Sequence, residues 1–402
     1  MGDKPFTPRT SLLPLGEGSG DEGTEHNAFI RSSVGARIKC VEPIAVSLPM
    51  AKPMKMAGVE IRSADNVLVR IETDGGHVGW GEAASAPAMT GETVESMMAA
   101  IRHMAPSLAN MDGADIAAVS TRMDQLMYYN QSAKSAVEMA LHDALGKALG
   151  KPVYALLGGK KRSRVPVLWL LGTGSIDGDI AEARGKQAAG FVAFKIKVGV
   201  GAPLDDALRT RRVCEALGKG LLISSDANQG YSLEQALAYV KTVDGAGLDF
   251  FEQPISAHNV DGMAEIAAAT QIPIGFDEGL HGMDDLIQHH QRHAARGCSL
   301  KTIKLGGLHG VMRAAELCNQ LGMKVNLACK VAESGIAAAS LMHLAAAVPA
   351  VDWGVSLSNQ YLADDIVRAT VKVIDGHAEV PAGVGLGVDV DEAKVRKYTR
   401  TV

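Results

Sequence analysis

Aromatic residues are scarce: Phe, Trp and Tyr make up 4% of 402 residues, while 44 are glycine. A core with so few rings must be largely aliphatic, and that much glycine suits many tight turns between short elements. Neither charge dominates. A net charge of −5 leaves no electrostatic footprint for nucleic acid or for an anionic membrane surface, so neither is expected as a partner. The five cysteines (Cys40, Cys214, Cys298, Cys318 and Cys329) are odd in number and lack Cys-x-x-Cys spacing, which argues against both a disulfide framework and a zinc site. The most apolar long run, Gly335 to Val351, is Ala-rich and interrupted by His343, and it reads as a buried helix rather than a membrane span. Met1-Gly-Asp-Lys-Pro5 has no apolar stretch behind it, so no secretory leader is expected and a cytoplasmic location is. No Gly-x-Gly-x-x-Gly follows the first strand of the repeating region, which disfavours a doubly wound dinucleotide fold.

Residues 1–35 are rich in Gly, Ser, Pro and Thr and read as a mobile extension without chemistry. Residues 36–160 read as an α+β unit. A first strand is expected over Arg37 to Ser47, then a hairpin, Asn66 to Glu72 and His77 to Glu82, about the turn Thr73-Asp-Gly-Gly76. Three helices are expected over Gly91 to His103, Asp112 to Met127 and Ser132 to Gly150. Between first strand and hairpin, Leu48 to Ser63 carries Met50, Met54, Met56 and two prolines; it reads as a long irregular connection and a candidate lid.

Residues 161–366 change pattern, with strands and helices alternating at short intervals. Strands are expected at Val165–Leu171, Ala193–Val198, Leu221–Asp226, Leu248–Gln253, Ile272–Asp277, Leu300–Leu305, Lys324–Cys329 and Val351–Leu357. Such alternation implies parallel strands with right-handed crossovers, and this many units fit an α/β fold, a (β/α)8 barrel with one unit modified. The tail, about 367–402, is expected to pack back on the first unit.

Within Phe191 to Gly199, Lys195 and Lys197 share one face of a strand, because strand side chains alternate. Two such ammonium groups repel, and burial penalises their charge, so each tends toward a lowered pKa suited to a base. Alone, the pair would read as surface lysines. Downstream, however, polar residues stand at successive strand ends: Asp226-Ala-Asn228, Glu252-Gln-Pro254, Asp277-Glu278 and Lys301-Thr-Ile-Lys304-Leu-Gly-Gly307. Barrels keep active sites at these ends. Three carboxylates converging there supply hard oxygen ligands suited to Mg²⁺. His289, His290 and His293 lack a Glu partner at metal-binding spacing and read as helix-surface residues.

These motifs, spaced at 24 to 29 residues, resemble the enolase superfamily, in particular its muconate-lactonizing-enzyme branch, from about residue 36 to the C-terminus. The resemblance implies a (β/α)7β barrel of the TIM type with an α+β capping domain. It implies Mg²⁺ held by Asp226, Glu252 and Asp277, with Lys197 and Lys301 as acid/base groups on opposite faces of a small carboxylate substrate and Lys195 tuning Lys197. Leu48–Ser63 and Trp80–Thr93 would close over that substrate. The chemistry implied is abstraction of a proton α to a carboxylate, giving an enediolate. Strand seven has no histidine, which disfavours the mandelate-racemase branch, and Gly354 stands where dipeptide epimerases would place a second Asp after Asp352. Trp353 could hold a substituted ammonium by cation–π attraction. The expectation is therefore a racemase or epimerase of a small amino-acid derivative, proline- or betaine-like, with cycloisomerisation of a muconate-type diacid or dehydration of a hydroxy acid as alternatives and a non-catalytic binding homologue as the remote one. Asn228, Glu333, Trp353, Met54 and Met56 are candidate substrate contacts, Glu333 alternatively a helix cap. A homo-oligomer is expected.

Overall fold

The computed structural model describes residues 35–402 except 57 and 58, and only the backbone of 55, 56 and 59. Nearly all of the stretch expected to be a mobile extension lies outside the described residues.

The first sheet is antiparallel, in the order β1 (Ile38–Met56), β2 (Val59–Thr73), β3 (Val78–Ala84). The β2–β3 turn is the expected one, with Gly76 at φ 78°. Leu48 to Ser63 departs from expectation. Its described residues continue both strands as a β-ribbon, pairing Leu48 with Ala64 and Met54 with Ile61, rather than forming an irregular loop. Within this stretch the register slips between Pro49 and Met54, where Pro49 and Pro53 have no N–H to donate to the ladder. Helices Val94–Leu108, Ile116–Leu126 and Gln131–Leu149 cover one face of this sheet. The third is buried along most of its length, which suits its Ala-rich sequence. A Cβ on Gly79 or Gly81 of β3 would lie about 2 Å from its Ala140 or Ala136 carbonyl oxygen, so only glycine allows that approach.

The second sheet is parallel: β5 (Leu168–Leu171), β6 (Ala193–Lys197), β7 (Leu222–Asp226), β8 (Phe250–Glu252), β9 (Ile274–Phe276), β10 (Gly297–Leu300), β11 (Lys324–Ala328) and β12 (Val355–Ser356), each beside the next. A Val167–Val355 bridge brings its ends together into a barrel. Helices Ile176–Ala188, Pro203–Leu217, Leu233–Val243, Val260–Ala268, Met283–Gln291, Leu308–Leu321 and Gly335–Ala347 occupy the seven crossovers, so the eighth strand is the modified unit of a (β/α)7β barrel. The first, fourth, fifth and eighth strands are each at least three residues shorter than expected, and the sixth is displaced. Pro166 divides the first: β4 (Arg164–Pro166) instead joins β13 (Val373–Ile374) and β14 (His377–Glu379) in a small antiparallel sheet. The sixth, expected over Leu300–Leu305, instead runs over Gly297–Leu300, and most of the expected stretch forms a one-turn helix, Thr302–Leu305. The tail returns to the capping unit, where Leu386 donates its N–H to Asp143 and Arg400 its N–H to Ala45.

Trp353, expected within the eighth strand, precedes β12. It stacks on Phe250, centroids 4.1 Å apart, among Leu168 and Ala193, and a Cβ on Gly297 would strike its ring. These residues begin their strands, so Trp353 plugs the N-terminal end of the barrel, opposite the polar strand ends. The expected cation–π contact with substrate is thereby corrected. His289 is a second correction: it is 1% exposed and stacked on Phe276, not on the helix surface.

Candidate active site

Parallel register sets Lys197, Asp226 and Glu252 side by side on β6, β7 and β8. Asp277 directly follows β9, and Lys301 directly follows β10. The chain turns sharply after each of the first two carboxylates: Asn228 and Gln229 have φ of 41° and 67°, and Gln253 has φ of 36°. Non-glycine residues in this left-handed region cost about 1–3 kcal/mol each, a strain that clusters at functional sites. Gln253 offsets part of it, its side-chain oxygen accepting the N–H groups of Asp277 and Gly279.

Each carboxylate carries a lysine. Lys197 Nζ lies 2.6 Å from Asp226 and 2.8 Å from the Asn228 side-chain oxygen; Lys301 Nζ lies 2.5 Å from Asp277; Lys195 donates to Glu252. Lys304, fully buried, donates to the other Asp277 oxygen at 2.7 Å. Lys195 thus faces Glu252 rather than crowding Lys197. Burial opposes its charge, yet Glu252 and Asp226 raise its pKa. The backbone of Lys197 is fixed from behind, since Arg209 donates to its carbonyl at 2.6 Å while paired with Asp179 and Asp206.

Asp226, Glu252 and Asp277 are each 2% exposed. Burial raises Glu252, and the charges of Asp226 and Asp277 add to that against Lys195. Three buried carboxylates within electrostatic reach of one another form an all-oxygen donor set that a hard divalent cation fits. Ser299 and Asn326 support it from below: Ser299 Oγ donates to Glu252 at 2.9 Å and lies 3.0 Å from the Asn326 side-chain oxygen.

One cavity of about 470 Å³ holds this whole constellation, a volume typical of a small-molecule site. Its floor includes Lys195, Lys197, Asp226, Asn228, Glu252, Asp277 and Lys301. Its roof comes from the capping unit: Glu60 to Ser63 on the β-ribbon, and Ser85 to Met89 after β3, with Met89 Sδ 3.8 Å from Lys301 Nζ. Both expected closing segments therefore reach the cavity, although Trp80 itself is buried in the core. Asn228 sits between Lys197 and Glu278. Met54 does not line the cavity, and the Met56 side chain lies outside the described residues. Glu333 is buried just behind the lining residues. It accepts the Lys330 N–H, one of its oxygens has no partner, and burial pushes it up to about 7. It does not cap the following helix; Ser334 does.

Sequence reasoning missed Glu278, Lys304 and Lys330. Glu278 lines the cavity, and burial with the Asp277 and Asp226 charges pushes it up to about 7. The paired acids Asp277-Glu278 and the repeated lysine at 304 were the available signals. Lys330, just beyond β11, had none. At the end of β12 the residues are Ser356 and Ser358, while Asp352 receives the Val325 N–H on the far side of the barrel. No carboxylate pair stands at that strand end.

Comparison with known proteins agrees with this architecture. Residues 179–394 match the enolase C-terminal domain-like family, and residues 40–158 match the mandelate racemase/muconate lactonizing enzyme N-terminal domain. The chain belongs to the muconate-lactonizing-enzyme branch of the enolase superfamily. It is an isomerase of this superfamily, whose members are metal-dependent. A muconate lactonizing enzyme from Pseudomonas fluorescens, solved with muconolactone, superposes with a TM-score of 0.87 at 32% identity, covering 91% of this chain and all of the other. A chloromuconate cycloisomerase from Cupriavidus pinatubonensis is 31% identical over 88% of this chain and 96% of its own. An N-succinyl Arg/Lys racemase from Bacillus cereus superposes with a TM-score of 0.86 at 27% identity, covering 91% of this chain and 98% of the racemase. Among the described residues, no helix is long and apolar enough to cross a membrane.

Proposed function

We propose that this isomerase removes a proton α to the carboxylate of a small acid, with Lys197 and Lys301 as its two acid/base groups, and that its product is the inverted stereoisomer. One observation carries the reading. β6 and β10 are four strands apart in a closed ring of eight, so the two lysines rise from opposite walls of one cavity with the three carboxylates between them. Removal of an α proton puts a second negative charge on the carboxylate group. Mg²⁺ held by Asp226, Glu252 and Asp277 would supply the fixed positive charge that offsets it. The chain's own residues do the rest. One lysine accepts the proton from its face of the substrate, and the other, as an ammonium, returns a proton from the opposite face. Asn228 and Asp226 orient Lys197, Asp277 orients Lys301, and the ribbon residues Glu60 to Ser63 with Ser85 to Met89 exclude water.

The same enediolate also links an unsaturated diacid to a lactone: the second carboxylate adds to the double bond to form it and a lysine ammonium protonates its α carbon, and in reverse a lysine removes that proton and the ring carboxylate leaves. The two kinds of relative superpose almost equally well, with TM-scores of 0.87 and 0.86, the lactonizing enzyme being the more similar in sequence at 32% against 27%, and cycloisomerisation of a diacid is the second reading. With Trp353 at the far end of the barrel and Ser356 and Ser358 at the eighth strand end, nothing described supports an ammonium-binding contact there for a betaine-like substrate.

The test is α-proton exchange in D₂O followed by NMR, across N-acyl amino acids, proline derivatives and unsaturated diacids. Lys197→Met and Lys301→Met should each slow inversion by about 10²–10⁴-fold, the range for losing a general acid or base. Each variant should still exchange the α proton of one enantiomer only. Inversion at the wild-type rate in either variant would overturn the two-lysine reading.

A further inference from the structure

Lys195, Lys197, Lys301, Arg62 and Lys330 are the cationic residues lining the cavity. The first three are paired with Glu252, Asp226 and Asp277, and Arg62 is paired with Glu60. Among the described residues, Lys330 alone of the five has neither an ion pair nor a side-chain hydrogen bond. It is only partly exposed. A lysine in such a position ordinarily has a counter-ion.

Its placement is built into the fold. Glu333 accepts the Lys330 N–H at 2.9 Å, and Ala332 between them has φ of 80°, so a tight turn carries the chain from β11 to helix Gly335–Ala347 and leaves Lys330 on the cavity wall. Lys301 directly follows the neighbouring strand, β10, one position nearer the carboxylate cluster in the ring. Burial pushes the Lys330 ammonium down to about 8; Glu333 opposes this and Lys301 adds to it. An anion arriving in the cavity would supply the missing partner through charge-assisted hydrogen bonds. A second cation on the substrate would instead meet Lys330 and Lys301 together.

We propose that Lys330 determines specificity by binding a second carboxylate of the substrate, so that the preferred substrates are dicarboxylates with one acid group between Lys197 and Lys301 and the other at Lys330. This rests on the reading of the cavity as a carboxylate isomerase site, and it adds the substrate class.

Binding distinguishes it from that reading, because no turnover is required. Isothermal titration of the full chain in excess Mg²⁺ would use two matched pairs: trans,trans-muconate against sorbate, and N-succinyl-L-lysine against N-butanoyl-L-lysine. Within each pair a carboxylate replaces a methyl group. The wild type should bind the diacid of at least one pair about ten-fold or more tighter than its partner, as a paired charge in a partly desolvated site does. Lys330→Met should bring the diacid to the affinity of the monoacid and leave the monoacid unchanged, and Lys330→Gln should do the same. Equal binding of diacid and monoacid by the wild type, absence of binding by both diacids, or a preference that survives both substitutions would overturn the proposal. Failure of the α-exchange experiment with a diacid preference intact would refute the isomerase reading and leave the Lys330 assignment standing.

Discussion

Replacing Glu138 with Gln should weaken the seam between capping unit and barrel by about 3–5 kcal/mol, the loss expected when one partner of a buried charge pair is removed. Glu138 projects from helix Gln131–Leu149 and is 1% exposed. One oxygen accepts the Leu308 N–H at 2.7 Å; the other accepts the His309 N–H at 3.0 Å and lies 3.0 Å from His309 Nδ1. His142, one turn along and also buried, approaches to 3.5 Å. Leu308 and His309 open helix Leu308–Leu321, so the carboxylate also meets the positive end of that helix dipole. Gln keeps one oxygen but turns an NH₂ toward the second backbone donor. That leaves a buried N–H unpaired, at about 1–3 kcal/mol, and removes charge-assisted bonds of about 1.5–3 kcal/mol each. The pH dependence follows from opposite shifts. Burial alone would raise Glu138, but His142 and His309 hold it far below 4.5, so its contribution is present above about 4.5 and is lost as pH falls. Burial alone would lower His142, but Glu138 raises it above 6.5, so its contribution is full below about 6.5 and is lost as pH rises through its folded value. Wild type and Glu138→Gln should therefore differ most between about pH 4.5 and about 6.5. Denaturant unfolding at about pH 5.5 and about pH 9, at constant ionic strength, measures this. A difference below about 1 kcal/mol, or one that does not shrink at high pH, would refute the clamp.

Mg²⁺ at a hundred times its dissociation constant should stabilise the chain by about 2.7 kcal/mol, and Glu252→Gln should abolish most of the shift; an equal thermal shift in the variant would move the metal elsewhere. Trp353→Leu should cost about 2–4 kcal/mol through the lost Phe250 stack and the cavity left behind, with KM unchanged; raised KM at unchanged stability would return the ring to the site. The pH profile of kcat/KM should show an ionisation near pH 7 from Glu278 or Glu333, whose carboxyls burial pushes up to about 7. Glu278→Gln and Glu333→Gln tell them apart, and persistence of that limb in both variants would assign it to another group.

Local chemistry in the chain determined much of this. The change from an α+β pattern to strand–helix alternation specifies parallel strands, because each crossover must carry the chain back to the same end of the sheet. Period-two alternation fixed that Lys195 and Lys197 share a side, and acids at the C-terminal ends of strands fixed where Asp226, Glu252 and Asp277 converge. Tertiary structure decided what depends on neighbours distant in sequence. Leu48 to Ser63 became a ribbon because β2 offered it a partner. Trp353, a few residues from a polar strand end, went to the opposite mouth because Phe250, Gly275 and Gly297 leave room for a ring there. Lys195 was expected to act on Lys197, but Glu252 is its partner. Lys330 acquires meaning only when every other cation of the cavity is found already paired, since a missing counter-ion belongs to an assembled site and to no stretch of sequence.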